Sequence, residues 1–140
     1  MTHQVKLDWK EKMYFEADSP GAMVPIDAAE EFGGEGRGAR PKALMLTSLA
    51  GCSGIDIASL LKKMRAEVDD FSISVAAELT EEHPKYYHSV KVSYDFYGSD
   101  MKKDKIQKAV DLSVDKYCGV MEMFRKFADI EIEVNYHEKG

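Results

Sequence analysis

One apolar segment constrains the fold more than any other feature of the chain. Nearly every side chain between residues 43 and 61 is apolar or small, so no single stripe can be assigned to a buried face. A helix that is apolar on all sides is normally buried on all sides. Ser48, Asp56 and Ser59 interrupt the segment, which argues against a membrane span. The segment therefore predicts a central helix, covered by sheet or by a second subunit, with Cys52 inside it.

The size and charge of the chain narrow the possible classes of protein. Its 140 residues are 44% apolar and 31% charged, a mixture typical of a soluble globular protein. We expect a single domain over residues 1–140. The net charge of −6, from 19 basic and 25 acidic residues, disfavours binding to nucleic acids or to anionic membranes. Neither is expected as a partner.

The two cysteines and the N-terminus bear on compartment and chemistry. No apolar signal segment follows Met1, so we expect a cytoplasmic protein. Cys52 and Cys118 are 66 residues apart, which matches no zinc motif, and the four histidines are scattered. Neither a metal nor another cofactor is expected. In a reducing compartment the two cysteines are either buried small side chains or redox-active thiols.

Hydrophobic periodicity predicts the remaining elements. Alternation of apolar and polar residues indicates strands, and apolar residues three or four apart indicate a helix. Pro25 predicts that its strand lies at a sheet edge, and Gly119 is a point where the second helix kinks or ends. The predicted strands are residues 4–10, 12–18, 22–27, 71–80, 86–97 and 129–136, and the second helix runs from Ile106 to Phe124.

The element order is therefore βββ-α-ββ-α-β. A glycine-rich loop at residues 28–40 connects the third strand to the first helix. Sheets with one apolar face, together with a helix too apolar for burial on one side, predict an α+β fold. A monomer would struggle to cover the first helix on all sides, so we expect a homodimer.

The course of the first helix decides what surrounds Cys52. Pro41 suits the first position of a helix, and continuity from there places Cys52 about three turns inside it. Alternatively, Ser53 and Asp56 form a capping box that restarts the helix beside Cys52. We favour the continuous helix. Asp56, in apolar surroundings, is expected to form a buried hydrogen bond rather than to act in catalysis.

One motif surrounds each cysteine. The motifs are Leu49-Ala50-Gly51-Cys52-Ser53-Gly54-Ile55-Asp56-Ile57 and Asp115-Lys116-Tyr117-Cys118-Gly119-Val120. With Trp9 they resemble the OsmC/Ohr family, most closely its YhfA-like branch, and the resemblance extends over nearly the whole chain. The resemblance implies an intertwined homodimer, in which antiparallel sheets wrap around two central helices, and a thiol-dependent peroxidase for organic hydroperoxides. It also implies that Cys52 attacks the peroxide and that Cys118 resolves the sulfenate as a disulfide.

The sequence departs from the family at the groups that activate the thiol. In the peroxidases a glutamate ten residues before the first cysteine pairs with an arginine, but here that position is Lys42, and the first hairpin carries no arginine. A buried thiol needs such help, because burial raises its pKa. Arg37, Arg40 and Lys42 are the candidate thiolate-activating residues.

Two functions follow from the sequence. The first is a thiol-dependent peroxidase that takes small apolar hydroperoxides and is reset by an external dithiol. The second is a non-enzymatic dimer of the same fold that binds another apolar ligand or senses redox state. The missing arginine–glutamate pair supports the second.

Overall fold

The protein is described by a computed structural model of residues 1–139. The contacts of the chain divide it into two compact units, one from Met1 to Met45 and one that begins at Leu46.

The first unit is built on a three-stranded antiparallel sheet. Trp9 pairs with Phe15 across the first hairpin, where a bulge follows Trp9. The third strand lies at an edge, as Pro25 predicts, because a proline has no N–H to donate to a neighbouring strand. The strands are β1 (Lys6–Glu11), β2 (Tyr14–Ser19) and β3 (Ala22–Ile26).

Strand β1 does not have the burial that its alternation predicts. All six of its residues are exposed, and Leu7 and Trp9 retain 52% and 66% of their accessible surface. The prediction of a half-buried strand is therefore wrong for the single chain. Alternation of apolar and polar residues shows that one face of a strand is apolar, but it does not show which part of the protein covers that face.

A buried carboxylate organises the loop that follows β3. Asp27 accepts hydrogen bonds from the backbone N–H groups of Ala28, Glu35 and Arg37 at 2.9–3.1 Å. The loop contains one 3₁₀ turn, Glu30–Phe32. At Gly34 a Cβ atom would lie 1.6 Å from the carbonyl oxygen of Ala28, so only glycine allows this close approach.

The apolar segment forms one uninterrupted helix, α1 (Pro41–Met64). The predicted continuity from Pro41 is confirmed, and the alternative restart at Ser53 is wrong. Cys52 consequently lies three turns from the N-terminus, beyond the reach of the free amides of the first turn.

The burial of α1 is one-sided. Its buried positions are Leu49, Ser53, Ile57 and Leu61, one turn apart, whereas Ile55 remains 75% exposed. The single chain therefore covers only one side of the helix, which agrees with the expectation that a monomer does not bury it on all sides. By length and composition α1 also passes as a membrane span, with a mean hydropathy of 1.6, but core helices of soluble proteins pass the same test.

The second unit contains a mixed three-stranded sheet. Strands β4 (Asp70–Leu79) and β5 (Tyr87–Gly98) form the predicted antiparallel hairpin. The last strand, β6 (Asp129–Glu138), lies on the other side of β5 and runs parallel to it. This pair departs from the expected antiparallel arrangement. The intervening helices carry the chain back, as a parallel connection requires.

The predicted second helix is divided into three parts. The helix α2 (Lys103–Leu112) is followed by one π-helical turn, Ser113–Tyr117, and then by a short helix, α3 (Gly119–Arg125). The break falls at Cys118, whose backbone is extended (φ −79°, ψ 99°), one residue before the predicted Gly119.

The α+β class and the order of elements are confirmed. One face of β5 is fully buried in the core of the second unit, together with residues of all three helices. The largest fully buried side chains of this core include Tyr94, Phe96, Phe124, Leu49, Ile57, Ile106 and Met121.

We predict that Asp27→Asn weakens the first unit in a pH-dependent way. The backbone N–H groups, led by that of Glu35, hold the pKa of Asp27 below its usual range. The carboxylate therefore stabilises the fold above the usual carboxyl pKa, and this stabilisation is lost as the pH falls through the lower folded value. Thermal unfolding followed by the fluorescence of Trp9, the single tryptophan, should show a lower midpoint at pH 7 and a smaller difference in acid.

The matched control is Asp18→Asn, at an exposed position of β2. It should leave the midpoint unchanged. Equal midpoints for Asp27→Asn and the natural protein at pH 7 would contradict the prediction.

Candidate functional site

The fold of the second unit brings the two cysteines together. Cys52 lies on α1 and is half-buried, whereas Cys118 is buried at the start of α3. Their Sγ atoms and a carboxylate oxygen of Asp56 all lie within 4.8 Å of one another. Both cysteines are free thiols. Two thiols and one carboxylate, contributed by two separate segments, form the candidate site.

The break in the second helix positions Cys118. Its backbone N–H donates to the carbonyl of Ser113 at 2.8 Å, and its Sγ accepts the backbone N–H of Met121 at 3.4 Å. The sulfur thus caps α3 in the way a serine or aspartate oxygen normally does. Arg125 of α3 also donates to the carbonyl of Val114 in the π-helical turn. These contacts fix the Cys118 thiol at the junction of the π-helical turn and α3.

The environment of Cys118 keeps it protonated. Burial raises its pKa to about 11, and the neighbouring Cys52 and Asp56 act in the same direction, partly offset by the N–H of Met121. At neutral pH Cys118 is therefore a thiol that can donate a proton or a hydrogen bond to Cys52. Cys52 is the more accessible of the two sulfurs.

A directed chain of hydrogen bonds ends at Asp56. Ser113 Oγ donates to Asp56 Oδ2 at 3.0 Å. Because this uses its single proton, Ser113 must accept from Ser53 in their 2.8 Å contact. Ser53 must in turn accept from the Tyr94 hydroxyl at 2.7 Å. We call this Tyr94–Ser53–Ser113–Asp56 chain the hydroxyl relay.

The hydroxyl relay is buried where it crosses the core. Ser53, Ser113 and Tyr94 are all fully buried, and burial raises the pKa of Tyr94. Each hydroxyl has a partner, which removes the cost of an unsatisfied polar group in the interior. The relay joins β5, α1 and the π-helical turn, so the segments that carry Cys52 and Cys118 are held to each other independently of the sulfurs.

Sequence reasoning found only part of this site. It named Cys52 and Cys118 and expected a hydrogen bond at Asp56, which Ser113 supplies. It missed the position of Asp56 beside both sulfurs. It also missed the relay hydroxyls, although Ser113 stands on the apolar stripe of the second helix, and a polar residue there is a usable signal.

The predicted thiolate-activating residues all belong to the first unit. Arg40 and Lys42 are exposed. Arg37 forms an ion pair with Glu11 at 2.8 Å, and its guanidinium lies 4.5 Å from the centre of the Tyr14 ring. Its Nε and Nη2 atoms are buried without a hydrogen-bond partner among residues 1–139. These two atoms lie 3.8 Å from Asp27 Oδ2 and 3.9 Å from Glu35 Oε1, so they are within ion-pair distance of carboxylates without forming hydrogen bonds to them.

A cavity adjoins Asp56 in the second unit. Its volume is about 350 Å³, it is open to solvent, and polar and apolar groups both contribute to its walls. In the described part of the second unit the ion pairs involve other acids, such as the Asp115–Arg125 pair, and none includes Asp56. The lining residues are Ile55, Asp56, Ser59, Leu60, Lys63 and Tyr117.

Comparison with known proteins gives consistent matches. The family model for OsmC-like proteins matches residues 34–133. Protein YhfA of Escherichia coli K12 is 32% identical over 129 residues, which cover 91% of this chain and 92% of YhfA. A hypothetical protein from Aquifex aeolicus VF5 has a crystal structure that is similar with a TM-score of 0.87 and 26% identity, over 100% of this chain and 99% of that chain.

A further structural neighbour is the organic hydroperoxide resistance protein OhrB of Bacillus subtilis. Its TM-score is 0.67 at 19% identity, over 96% of this chain and 98% of that chain. At that identity the similarity shows a shared fold.

We predict that the loss in free energy of unfolding depends on how many polar groups of the hydroxyl relay a substitution leaves unpaired. Ser113→Ala leaves the Ser53 proton without an acceptor and Asp56 without a donor, and should lower the free energy of unfolding by about 2–3 kcal/mol. Tyr94→Phe removes only the terminal donor and should cost about 1 kcal/mol. Urea unfolding measures both.

Tyr97→Phe is the matched control, because this tyrosine lies on the same strand, stacked on His137 and outside the relay. It should cost less than either variant. If Tyr94→Phe cost more than Ser113→Ala, the direction assigned to the relay would be wrong.

Proposed function

Because the chain belongs to the OsmC-like protein family, we propose that it is a thiol-dependent peroxidase that reduces organic hydroperoxides. The family resemblance inferred from the sequence is confirmed. The observation that carries the proposal is the approach of the Cys52 and Cys118 sulfurs to within 4.8 Å. Two thiols so close, one accessible and one buried, suit a nucleophile and a resolving partner.

The proposed reaction uses both thiols in turn. The Cys52 thiolate attacks the peroxide; an S–O bond forms, the O–O bond breaks, and the leaving alkoxide takes a proton to become the alcohol. Cys118 then attacks the Cys52 sulfenic acid, which forms the disulfide and releases water. An external dithiol reduces the disulfide by exchange. This last step suits a reducing compartment such as the cytoplasm.

Differences between the two sulfurs support this division of roles. Cys52 is half-buried and is reached more easily by a substrate than the buried Cys118. Cys118 has a pKa of about 11 and remains a thiol until the sulfenic acid forms beside it. The OhrB protein of B. subtilis, named for resistance to organic hydroperoxides, has the same fold.

Activation of Cys52 requires a cation, and we propose Arg37 for that role ahead of Arg40 and Lys42. A thiolate is the reactive form of cysteine, and a nearby cation stabilises it. Support for Arg37 comes from its two buried donors, Nε and Nη2, which have no hydrogen-bond partner among residues 1–139. Its pairing with Glu11 also provides an arginine–glutamate pair, although at positions that differ from the family pattern.

We further propose that the protein is a homodimer. Ile55 on α1 is 75% exposed, and β1 exposes Leu7 and Trp9 on one face. Isolated apolar side chains at a surface need no explanation, but a whole strand face and one side of a long apolar helix indicate an interface. A second copy of the chain is the partner expected from the sequence.

The first test counts thiols. One equivalent of cumene hydroperoxide added to the reduced protein should lower the free thiols from two to none, because sulfenate formation and resolution consume both. Cys118→Ser should stop at the sulfenic acid, which a cyclic diketone traps for mass spectrometry. Cys52→Ser should not react. Arg37→Ala should react more slowly than Arg40→Ala.

Retention of both thiols in the natural protein would contradict the peroxidase proposal. It would favour the alternative, a non-enzymatic dimer that binds a ligand. The cavity lined by Asp56, Lys63 and Tyr117 supports that alternative, since its mixed polar and apolar walls suit an apolar ligand with a polar head.

The second test measures mass in solution. Light scattering should give twice the 15.8 kDa of one chain. Ile55→Asp should shift the mass toward that of the monomer, since it places a charge where about 1.5–3 kcal/mol of apolar burial is expected. Lys62→Asp, an exposed site on the same helix, should leave the dimer intact. A natural protein that is monomeric at all concentrations would contradict the proposal.

A further inference from the structure

We propose that Cys52, Asp56 and Cys118 form a binding site for a soft divalent cation such as Zn²⁺ in the reduced protein. The three ligand atoms, two sulfurs and one carboxylate oxygen, already lie within 4.8 Å of one another. Thiolates and carboxylates are common zinc ligands, with Zn–S near 2.3 Å and Zn–O near 2.0–2.2 Å. A tetrahedral ion would need these atoms about 3.5–3.8 Å apart, so a contraction of about 1 Å closes the site.

Two of the three ligands are already oriented by other groups. Asp56 Oδ2 accepts a hydrogen bond from Ser113, and the carboxylate keeps lone pairs for a metal. Cys118 Sγ accepts the backbone N–H of Met121, and this contact stabilises a thiolate. Metal ligands in proteins typically have such outer hydrogen bonds, which fix their orientation. The hydroxyl relay therefore serves as the outer shell of the proposed site.

The charges of the second unit also favour a cation. Asp56 lies beside both sulfurs and takes part in none of the ion pairs of the described residues, so no side-chain cation of the second unit is paired with its carboxylate. A divalent ion would balance the carboxylate and both thiolates to a net charge of −1. Lys63, which lines the adjoining cavity, offsets part of the remainder.

The adjoining cavity supplies the fourth position. Asp56 lies in its wall, and the cavity opens to solvent. A site with three protein ligands and one open position binds water or a small donor there. The 66 residues between the cysteines exclude the compact zinc motifs, but they do not exclude a site that the fold assembles from α1 and the residue after the π-helical turn.

The site would exist only in the reduced form. Binding of Zn²⁺ displaces a proton from each thiol, whereas a Cys52–Cys118 disulfide leaves neither sulfur able to bind as a thiolate. Bound zinc would also occupy the Cys52 sulfur and slow its attack on a peroxide. The metal and the peroxide therefore compete for the same thiol.

The test is a zinc titration of the reduced, full-length protein against a chromogenic chelator. We expect one Zn²⁺ per chain, bound tightly enough to compete with the chelator. Asp56→Asn, which keeps the hydrogen bond from Ser113, should weaken binding at least about tenfold, and Ser113→Ala should weaken it by about tenfold or more. Cys118→Ser should abolish it. Asp111→Asn, at an exposed position of α2, is the matched control.

Cobalt provides a second readout. Co²⁺ added to the reduced protein should give thiolate-to-metal charge-transfer absorption that is lost in Cys118→Ser and in the disulfide form. Failure to compete for zinc would overturn the proposal, as would equal affinity for Asp56→Asn and the natural protein. Because no peroxide is used, the result is independent of the peroxidase proposal, which the thiol count tests by itself.

Discussion

The geometry of the site depends on the hydroxyl relay that crosses the core of the second unit. Each hydroxyl has one proton, so the donation of Ser113 to Asp56 fixes the direction of every other bond in the chain. Any slip of α1 would leave buried hydroxyls unpaired, which is costly. The relay thereby sets the register of α1 against β5 and the π-helical turn.

That register determines which side chains face Cys118. Cys52 precedes Ser53 by one residue, and Asp56 follows Cys52 by one helical turn. Residues four apart lie on the same side of a helix. Once Ser53 is held in the core, Cys52 and Asp56 are both directed toward the break between the π-helical turn and α3. The position of the sulfurs is thus a consequence of polar groups that take no part in thiol chemistry.

The electrostatics of this arrangement favour protons or a cation over a free thiolate. Burial raises the pKa of Cys118, with Cys52 and Asp56 acting in the same direction, and a carboxylate oxygen of Asp56 lies within 4.8 Å of both sulfurs. A peroxidase of this design needs a cation from elsewhere, which is the role proposed for Arg37. A metal site needs none, because the ion supplies the charge. The two proposals therefore place opposite demands on the same three residues.

Local sequence signals predicted the elements but not the site. Alternation and Pro41 located the strands and the start of α1 to within a few residues, since these signals act over short distances. The extended backbone at Cys118 and the parallel pairing of β6 depend on contacts distant in sequence. The proximity of Cys118 to Asp56 follows from both. The exposure of Trp9 and Ile55 has the same explanation. Their apolar character can be read from the local sequence, but the surface that covers them cannot.

Ile55 and Tyr117 lie in the wall of the cavity beside Asp56. In the proposed dimer, burial of Ile55 would bring apolar surface to the mouth of that cavity and lower the dielectric around Asp56. Assembly would then strengthen every charge interaction at the site, including the attraction of a thiolate to whichever cation accompanies it.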